Sequence, residues 1–345
     1  MTKREFLRVL GVGAGALICR PITARGDWPR ILRDDLEWVE PGGRRASPEF
    51  QRFVTSVRVG DRATHGALSV FWLHGAAGSA PPIAIATLEE ARTRGDLLIS
   101  EREQAAVPTL VVDHRGPGHV LLLAGEILLG GKQNRVVRED ALLPPRSGPI
   151  TIAVYCVEQG RWVERSKQFD SRGAFAAPAL RSGVIARAPQ QRIWAEVDRY
   201  AARAEASSRT GSYQAVWDKP EVKSYQAGVE RGIGRHPAAG ALGAAVFVGE
   251  RLAGLDLFED PGLFARQWPK LLGAYAVEMY DRRTEPAPEA PPLRVRLADL
   301  LERAARVPGS PRRGAGVGVL FGFRVDQLHG AALLAEGRVV HTAIL

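Results

Sequence analysis

The chain is poor in the residues that would mark several classes of protein. Among its 345 residues there are only two cysteines and seven histidines, and the histidines are scattered. Two cysteines exclude a disulfide scaffold and a four-thiolate zinc site, so we predict no metal site and assign no cofactor. No apolar run approaches the ~20 residues that a membrane-spanning helix needs, and we expect no transmembrane helix in the mature chain.

What the sequence does contain is the composition of a soluble globular protein. Hydrophobic residues make up 45% and charged residues 25%, both close to average. A chain of this length buries a substantial core without the help of disulfides or metals. The net charge is +9, but the basic residues are dispersed and form no stripe with interleaved aromatics. We therefore expect no nucleic-acid partner.

The first 24 residues predict an export signal. A basic segment over residues 2–8 precedes an apolar run over 9–18, which is too short to span a bilayer and typical of a signal peptide. The segment resembles the twin-arginine export signal, with Lys3 in place of its first arginine, and we predict cleavage after Ala24. A periplasmic or secreted protein is the expectation; a buried N-terminal helix is the alternative.

The remaining sequence predicts an α+β fold with a β-rich N-terminal half, a helical middle section and C-terminal strands that return to the sheet. Alternating or apolar runs predict strands, and they lie at 53–59, 67–73, 107–113, 120–124 and 150–157. Between 190 and 281 the apolar period becomes helical. Pro261 should open a helix, and Pro269 should kink it.

Proline divides the C-terminal part of the chain. Residues 284–292 are rich in proline and predict an extended linker. A short helix over 297–306 and three strands over 316–345 should follow. The predicted organisation is a signal peptide over 1–24, an α+β domain over 35–283, the linker over 284–292, and a helix with strands over 293–345.

Polar side chains are concentrated around a glycine pair at 130–131. They are those of Glu126 before the pair and of Lys132, Gln133, Asn134 and Arg135 after it. Backbone N–H groups exposed by successive glycines bind anions, and a lysine and an arginine three residues apart add positive charge. The segment predicts a site for a phosphate or carboxylate; the alternative is a surface hairpin with solvated side chains.

A second polar group follows an apolar strand. Alternation puts Cys156 and Glu158 on one face of that strand, and Arg161 comes three residues later. A free cysteine on a strand is usually core, and catalysis by Cys156 is the alternative. Glu158 and Glu126 are candidates for a paired acid and base. The competing interpretation is that each forms an ion pair with an arginine, either Arg135 or Arg161.

Other polar residues are weaker candidates. Gln191, Ser208 and Thr210 are possible ligand contacts, and the competing interpretation is that they cap a helix end or a turn. Asp256 opens an acidic stretch just before a predicted helix. We interpret it as an acid that stabilises the first turns of that helix.

The runs 122–135 and 154–162 together resemble the signature of a bacterial domain family named for its association with ADP-ribosylglycohydrolases and rhodanese/phosphatase-superfamily proteins. The similarity continues through Gln191-x-x-Trp194, Ser208-x-Thr210, Asp256-Leu-Phe258 and Phe264-x-x-x-Trp268. It therefore covers about residues 40–281. The resemblance gives these polar residues more functional weight, but the name of the family records neighbours and not a reaction.

Together these observations predict an exported protein that binds a small anionic or nucleotide-like ligand of the ADP-ribose type in a polar pocket. Whether the protein also hydrolyses that ligand stays open. The assigned roles are anion binding by Lys132, Arg135 and Arg161, orientation by Gln133 and Asn134, and general base catalysis by Glu158 or Glu126. The alternative is a non-catalytic envelope module whose polar segment organises a protein interface or its own fold. Convergence on a concavity favours the first hypothesis, and a closed internal network favours the second.

Overall fold

The computed structural model describes residues 44–75, 84–101 and 108–345. The signal peptide predicted over 1–24 lies outside these residues. Within them the chain has eight α-helices and 17 strands. The predicted α+β class is confirmed.

The elements are numbered here in chain order. The helices are α1 Pro48–Ser56, α2 Leu88–Thr93, α3 Pro178–Ile185, α4 Gln190–Arg203, α5 Tyr213–Trp217, α6 Pro220–Ile233, α7 Pro261–Met279 and α8 Ala290–Arg306. The strands are β1 Arg58–His65, β2 Leu68–His74, β3 Ile85–Thr87, β4 Leu97–Ser100, β5 Thr109–His114, β6 His119–Leu122, β7 Ile127–Gly130, β8 Arg135–Val137, β9 Ala141–Leu143, β10 Gly148–Cys156, β11 Gln168–Asp170, β12 Gly243–Val248, β13 Arg251–Phe258, β14 Gly309–Arg313, β15 Val319–Val325, β16 Leu328–Ala335 and β17 Arg338–Ile344.

The strands form an eight-stranded sheet, a closed barrel and a small sheet. The large sheet has the order β1-β2-β12-β13-β17-β16-β15-β14, and all its neighbours are antiparallel. The barrel has six strands in the order β10-β5-β4-β11-β7-β8, and the small sheet is β3-β6-β9. β2 and β12 are neighbours although the barrel and five helices lie between them in sequence. The prediction that the C-terminal strands return to the first sheet is confirmed.

Both faces of the large sheet are covered by helices, because its central strands are apolar on both sides. Trp72 on β2 and Val246 on β12 pack with Trp268 of α7 on one face. Phe71 and Phe247, on the same two strands, join the core that contains α1 and α8 on the other face. None of the helices in the described residues combines the length and apolar character needed to cross a bilayer.

The beginning of the described chain differs from prediction. The alternation over 53–59 predicts a strand, but α1 runs to Ser56 and β1 begins at Arg58. The helix begins at Pro48, and the Ser47 hydroxyl caps it by accepting a hydrogen bond from the Phe50 N–H. Phe50 and Phe53 then lie on one helical face, so their spacing suits a helix better than a strand.

Pro261 acts as predicted at the start of α7, whereas the proline-rich segment before α8 differs from prediction. Pro261 opens α7, and the Asp260 side chain caps it by accepting a hydrogen bond from the Gly262 N–H at 2.8 Å. Asp260, and not Asp256, therefore stabilises this helix end. Before α8 the linker predicted over 284–292 is shorter than expected, because the helix begins at Ala290 with proline in its first turn. A proline in that turn sacrifices no helical hydrogen bond.

Candidate functional site

The glycine-flanked segment is part of the barrel and not an open loop. β7 and β8 occupy its two ends, and the turn between them runs over residues 131–134. Gly131 has φ 48°, a conformation that favours glycine. A Cβ there would collide with the Phe169 ring and with Glu101. The glycine pair therefore lets the turn pack closely against Phe169 of β11.

Glu158 lies at the centre of a closed hydrogen-bond network. Its Oε2 accepts hydrogen bonds from the Asn134 N–H at 3.0 Å and from Arg161 Nε and Nη2 at 3.0 and 2.7 Å. Its Oε1 accepts one from the Thr210 hydroxyl at 2.7 Å. Burial raises the pKa of Glu158, but the hydrogen bonds from Arg161, Thr210 and Asn134 outweigh burial and bring the pKa below its ordinary value. The carboxylate is ionised and both its oxygens are engaged.

Arg161 is fully engaged by the protein. Beyond Glu158, its Nη1 donates to the carbonyls of Gly131 at 2.6 Å and Val163 at 3.1 Å. Its Nη2 donates to the Gly130 carbonyl and to Asn134 Oδ1, both at 3.2 Å. All three guanidinium nitrogens thus bond within the chain. The ion-pair interpretation of Glu158 and Arg161 describes this geometry.

The other polar side chains of the turn also point into the protein. Gln133 Nε2 donates to the Glu158 carbonyl at 2.7 Å, and Asn134 Nδ2 donates to the Ser212 hydroxyl at 3.1 Å. Arg135 Nη1 donates to the Gln133 carbonyl at 2.9 Å, and its Nη2 lies 3.7 Å from a Glu101 carboxylate oxygen. Gln133, Asn134 and Arg135 are all buried.

Lys132 differs from its neighbours in the turn. Its side chain is half-buried, and its ammonium lies 5.9 Å from the centre of the Trp162 ring. Its backbone N–H donates to Glu101 at 3.0 Å.

Of the weaker candidates, Ser208 and Thr210 belong to a turn and Gln191 lies on a helix. Ser208 accepts hydrogen bonds from the N–H groups of Thr210 at 3.3 Å and Ser212 at 3.0 Å, which is the geometry of a capped turn. Gln191 is exposed on α4. Its neighbour Gln190 holds the Cys156 backbone, accepting from its N–H at 3.0 Å and donating to its carbonyl at 2.8 Å. The glutamine pair in the sequence was the only signal for this contact.

Cys156 itself is completely buried. Burial raises the pKa of its thiol, with a smaller opposing effect of Arg135. A protonated, inaccessible thiol suits the core interpretation.

Glu126 lies apart from this network, in a cluster with Lys270 of α7 and Glu89 of α2. The Lys270 ammonium contacts Glu126 Oε1 and lies 3.1 Å from Glu89 Oε2. The second oxygen of Glu126 is buried and has no hydrogen-bond partner among the described residues. Burial raises the pKa of Glu126 to about 7, in spite of Lys270 and with a further contribution from the Glu89 charge. No sequence signal links these residues, because the three lie on separate elements.

A cleft of about 580 Å³ opens beside this cluster, between α2, α6 and α7. Lys270 and Glu89 line it, and so does Lys223 of α6. The Lys223 ammonium lies 4.7 Å from the centre of the Trp217 ring. Burial lowers the pKa of Lys223, and the charge of Asp218 opposes the effect of burial.

A second polar cluster ties the layers together in the core. Asp256 on β13 accepts hydrogen bonds from Arg181 Nη1 at 2.6 Å and the Tyr275 hydroxyl at 2.8 Å, and its Oδ1 lies 3.1 Å from His341 Nε2. His341 Nδ1 lies 2.6 Å from Asp140 Oδ2. Burial raises the pKa of Asp256, but the Arg181 charge and the His341 contacts lower it to about 2.

The described part of the chain offers no ready metal site. Across residues 44–75, 84–101 and 108–345, no three His, Cys, Asp or Glu side chains are grouped as metal ligands would be.

Comparison with other proteins assigns the chain to a family but matches it to no curated protein or solved structure. The model of one family matches residues 56–345, a span that includes the barrel, both polar clusters and the C-terminal strands. The chain belongs to this family, described as the ARG and Rhodanese-Phosphatase-superfamily-associated Protein domain.

Proposed function

We propose that the protein binds a small anionic or nucleotide-like ligand, of the ADP-ribose type, in the cleft between α2, α6 and α7. The observation that carries the proposal is the cluster at the edge of this cleft. Lys270 is held between Glu89 and Glu126, and one Glu126 oxygen is buried without a hydrogen-bond partner among the described residues. A buried carboxyl with a strongly shifted pKa beside an open cleft is characteristic of a functional site.

Charge around the cleft supports a ligand with both an anionic group and hydroxyl groups. Lys223 lines the cleft beside the Trp217 ring, and the charge of Asp218 acts on it only against a larger effect of burial; it is assigned to the anionic group. Glu89 lines the cleft as well, and its ionised oxygens accept hydrogen bonds from hydroxyls. Burial raises the pKa of Glu89, but Lys270 and hydrogen bonds outweigh burial and lower it.

Any hydrolysis in this cleft would depend on Glu89 more than on Glu158. Glu89 is ionised and borders the cleft, so it is the carboxylate that a general-base step would use. Glu126 does not line the cleft. Its proposed part is that of a positioning residue, which holds the Lys270 ammonium in place.

A thermal-shift screen of the chain tests the proposal. ADP-ribose, nucleotides and sugar phosphates are the probes, since a ligand that binds only the native state raises apparent stability, by about 2.7 kcal/mol at 100 times its Kd. We expect Lys223→Ala and Glu89→Gln to abolish the shift. Lys167→Ala, at an exposed lysine away from the cleft, should keep it. The absence of any shift across the panel would contradict ligand binding.

One observation favours the alternative function, that of a non-catalytic module. The network around Glu158 and Arg161 is closed, and its members bond to each other and to the barrel backbone. In a non-catalytic module these residues would organise the fold, and the role of the segment would be structural. If Lys132→Ala or Arg161→Ala abolished a ligand shift in a folded protein, the ligand site would lie at this turn and not in the cleft.

We also propose that the chain is exported through the twin-arginine route. The support is the N-terminal sequence alone. Cell fractionation of a host carrying that route tests it, with Arg4→Gln as the variant and Arg52→Gln as the control. Export of the Arg4→Gln chain at the level of the natural one would contradict the proposal.

A further inference from the structure

One glutamine of α7 is buried without a hydrogen-bond partner. Gln267 has no exposed surface, and neither the oxygen nor the nitrogen of its amide bonds to another of the described residues. Taking an amide out of water without replacing its hydrogen bonds is unfavourable, and buried polar side chains are in most cases satisfied. The Gln267 amide is therefore available to a group that binds to the fold.

Glu126 supplies a second buried atom of this kind. Its Oε2 has no hydrogen-bond partner among the described residues, while its Oε1 contacts the Lys270 ammonium. Gln267 and Lys270 are three residues apart on α7 and both are buried, so their side chains leave the helix on the same side. Lys270 is thus the common neighbour of Gln267 and Glu126.

Gln267 and Glu126 lie just behind the wall of the cleft. Arg266 and Lys270, on either side of Gln267 in α7, both line the cleft. The Lys270 ammonium also lies 3.1 and 3.3 Å from the two oxygens of Glu89, which lines the cleft as well. A turn of this flexible side chain toward Glu89 frees Glu126 and leaves the ammonium paired with a carboxylate.

We propose that Gln267 and Glu126 form an inner subsite of the cleft, behind Lys270, which binds a hydroxyl group of the ligand. This subsite presupposes the ligand cleft of the proposed function, through which it is reached. Without ligand Glu126 holds the Lys270 ammonium, and with ligand it accepts a hydrogen bond from the hydroxyl. The Gln267 amide both donates and accepts hydrogen bonds, as a hydroxyl does, so the two groups match.

The charge of the subsite selects a neutral group. The amide of Gln267 carries no charge, and Glu126 is a carboxyl group. Once Lys270 has turned to Glu89, a phosphate in the subsite would face the Glu126 carboxyl, and like charges disfavour each other. The ligand that fits both parts of the cleft is a phosphorylated sugar or a nucleotide sugar. Its anionic group lies at Lys223 and a sugar hydroxyl lies at Gln267.

Titration calorimetry of the full chain with ADP-ribose and with ADP tests the subsite. Both probes contain adenosine diphosphate, and ADP-ribose adds a sugar with its hydroxyl groups. We expect the natural chain to bind ADP-ribose at least about tenfold more tightly than ADP, since a site built for a hydroxyl rejects a ligand that lacks it. Gln267→Met should abolish this preference by weakening ADP-ribose alone.

Stability distinguishes a binding role of Gln267 from a structural one. Methionine is unbranched and adapts to its surroundings, and it removes the unpaired amide, so Gln267→Met should keep or raise the urea midpoint of the natural chain. Gln267→Leu is the second variant if Gln267→Met does not fold. Gln190→Met is the matched control, because Gln190 bonds to the Cys156 backbone and does not line the cleft. It should lower the midpoint and keep the preference for ADP-ribose.

Three results would overturn the subsite. A preference for ADP-ribose that survives Gln267→Met and Gln267→Leu, or equal binding of both probes by the natural chain, removes the subsite and leaves the cleft as a ligand site. A natural chain that binds neither probe removes the subsite together with the proposed function for these ligands.

Discussion

At Glu158 both carboxylate oxygens are hydrogen-bonded, whereas at Glu126 one oxygen has no partner among the described residues. Each glutamate has a partner that is distant in sequence. Thr210 donates a hydrogen bond to Glu158, and Lys270 contacts Glu126. Burial acts on both groups. Hydrogen bonds bring the pKa of Glu158 below its ordinary value, and burial brings that of Glu126 to about 7.

We predict that Arg161→Ala lowers the free energy of unfolding by about 3–5 kcal/mol. The substitution leaves the buried carboxylate of Glu158 without its ion-pair partner, which is strongly destabilising. Urea denaturation measures the change. Arg165→Ala removes an exposed arginine four residues away and should shift stability by less than about 0.5 kcal/mol. Equal stability of the two variants would show that the network contributes nothing to the fold.

The raised pKa of Glu126 predicts that the stability of the fold depends on pH. Its pKa is about 7 in the fold against an ordinary 4.5, so between these values the folded chain holds a proton that the unfolded chain releases. Stability from this group is therefore fully present below pH 4.5 and falls as pH rises toward 7. Glu126→Gln should remove the fall, measured as the urea midpoint from pH 5 to 7. The exposed Glu164→Gln is the control, and a matching slope in both variants would argue against the shifted pKa.

At the scale of elements, the buried faces of helices are the clearest feature. α8 presents Leu293, Leu297, Leu300 and Leu301 to the sheet, all buried, at helical spacing. Val295 lies on the opposite side of the same helix and is 61% exposed. Packing against the sheet, and not helix propensity, holds α8 in place.

The buried Leu297 and the exposed Val295 give a matched pair of substitutions in one helix. Leu297→Ala should lower the free energy of unfolding by about 2–5 kcal/mol, because it leaves a cavity in a close-packed core. Val295→Ala, in the same helix, should change it by less than about 0.5 kcal/mol. Chemical denaturation at one pH measures both. A small effect of Leu297→Ala would mean that α8 is not docked on the sheet.

Local signals predicted some elements and failed for others. Asp260 and Pro261 mark the start of α7 in sequence as they do in the structure. The polar segment from Glu126 to Arg135 predicts an anion site or a surface hairpin, and in the structure it comprises β7, a turn and the start of β8. Glycine favours turns whether a turn binds a ligand or packs against a neighbour. The packing partner, Phe169, comes from elsewhere in the chain, so the sequence alone did not separate the two cases.

At the scale of the whole molecule, the buried cluster around Asp256 joins the layers. Asp140 lies between β8 of the barrel and β9 of the small sheet, His341 and Asp256 lie in the large sheet, and Arg181 lies in α3. These residues lie far apart in sequence. Among them only Asp256 stood out in the sequence, as the start of an acidic stretch and of the Asp256-Leu-Phe258 motif, and neither signal pointed to the other residues.

His341→Asn should destabilise the protein by about 3–5 kcal/mol, since it leaves two buried carboxylates with fewer partners. Burial lowers the pKa of His341, but Asp140 and Asp256 outweigh burial and raise it above its ordinary 6.5. Its stabilising charge is thus fully present below pH 6.5 and lost as pH rises through the folded-state pKa. Thermal unfolding from pH 6 to 9 measures the loss, with the exposed His236→Asn as control. A natural chain whose stability did not fall over this range would contradict the charged state of His341.

The neighbouring position of β2 and β12 also has a consequence for synthesis. β2 ends at His74 and β12 begins at Gly243, and at 5–20 residues per second a ribosome needs roughly 10 to 30 s to make the intervening chain. The β1–β2 hairpin emerges first and waits through that interval with its inner edge unpaired. All six barrel strands leave the ribosome before β12 does, so the barrel has time to close while the large sheet is still open. Nascent chains of this protein are therefore most exposed to edge-to-edge association during that interval.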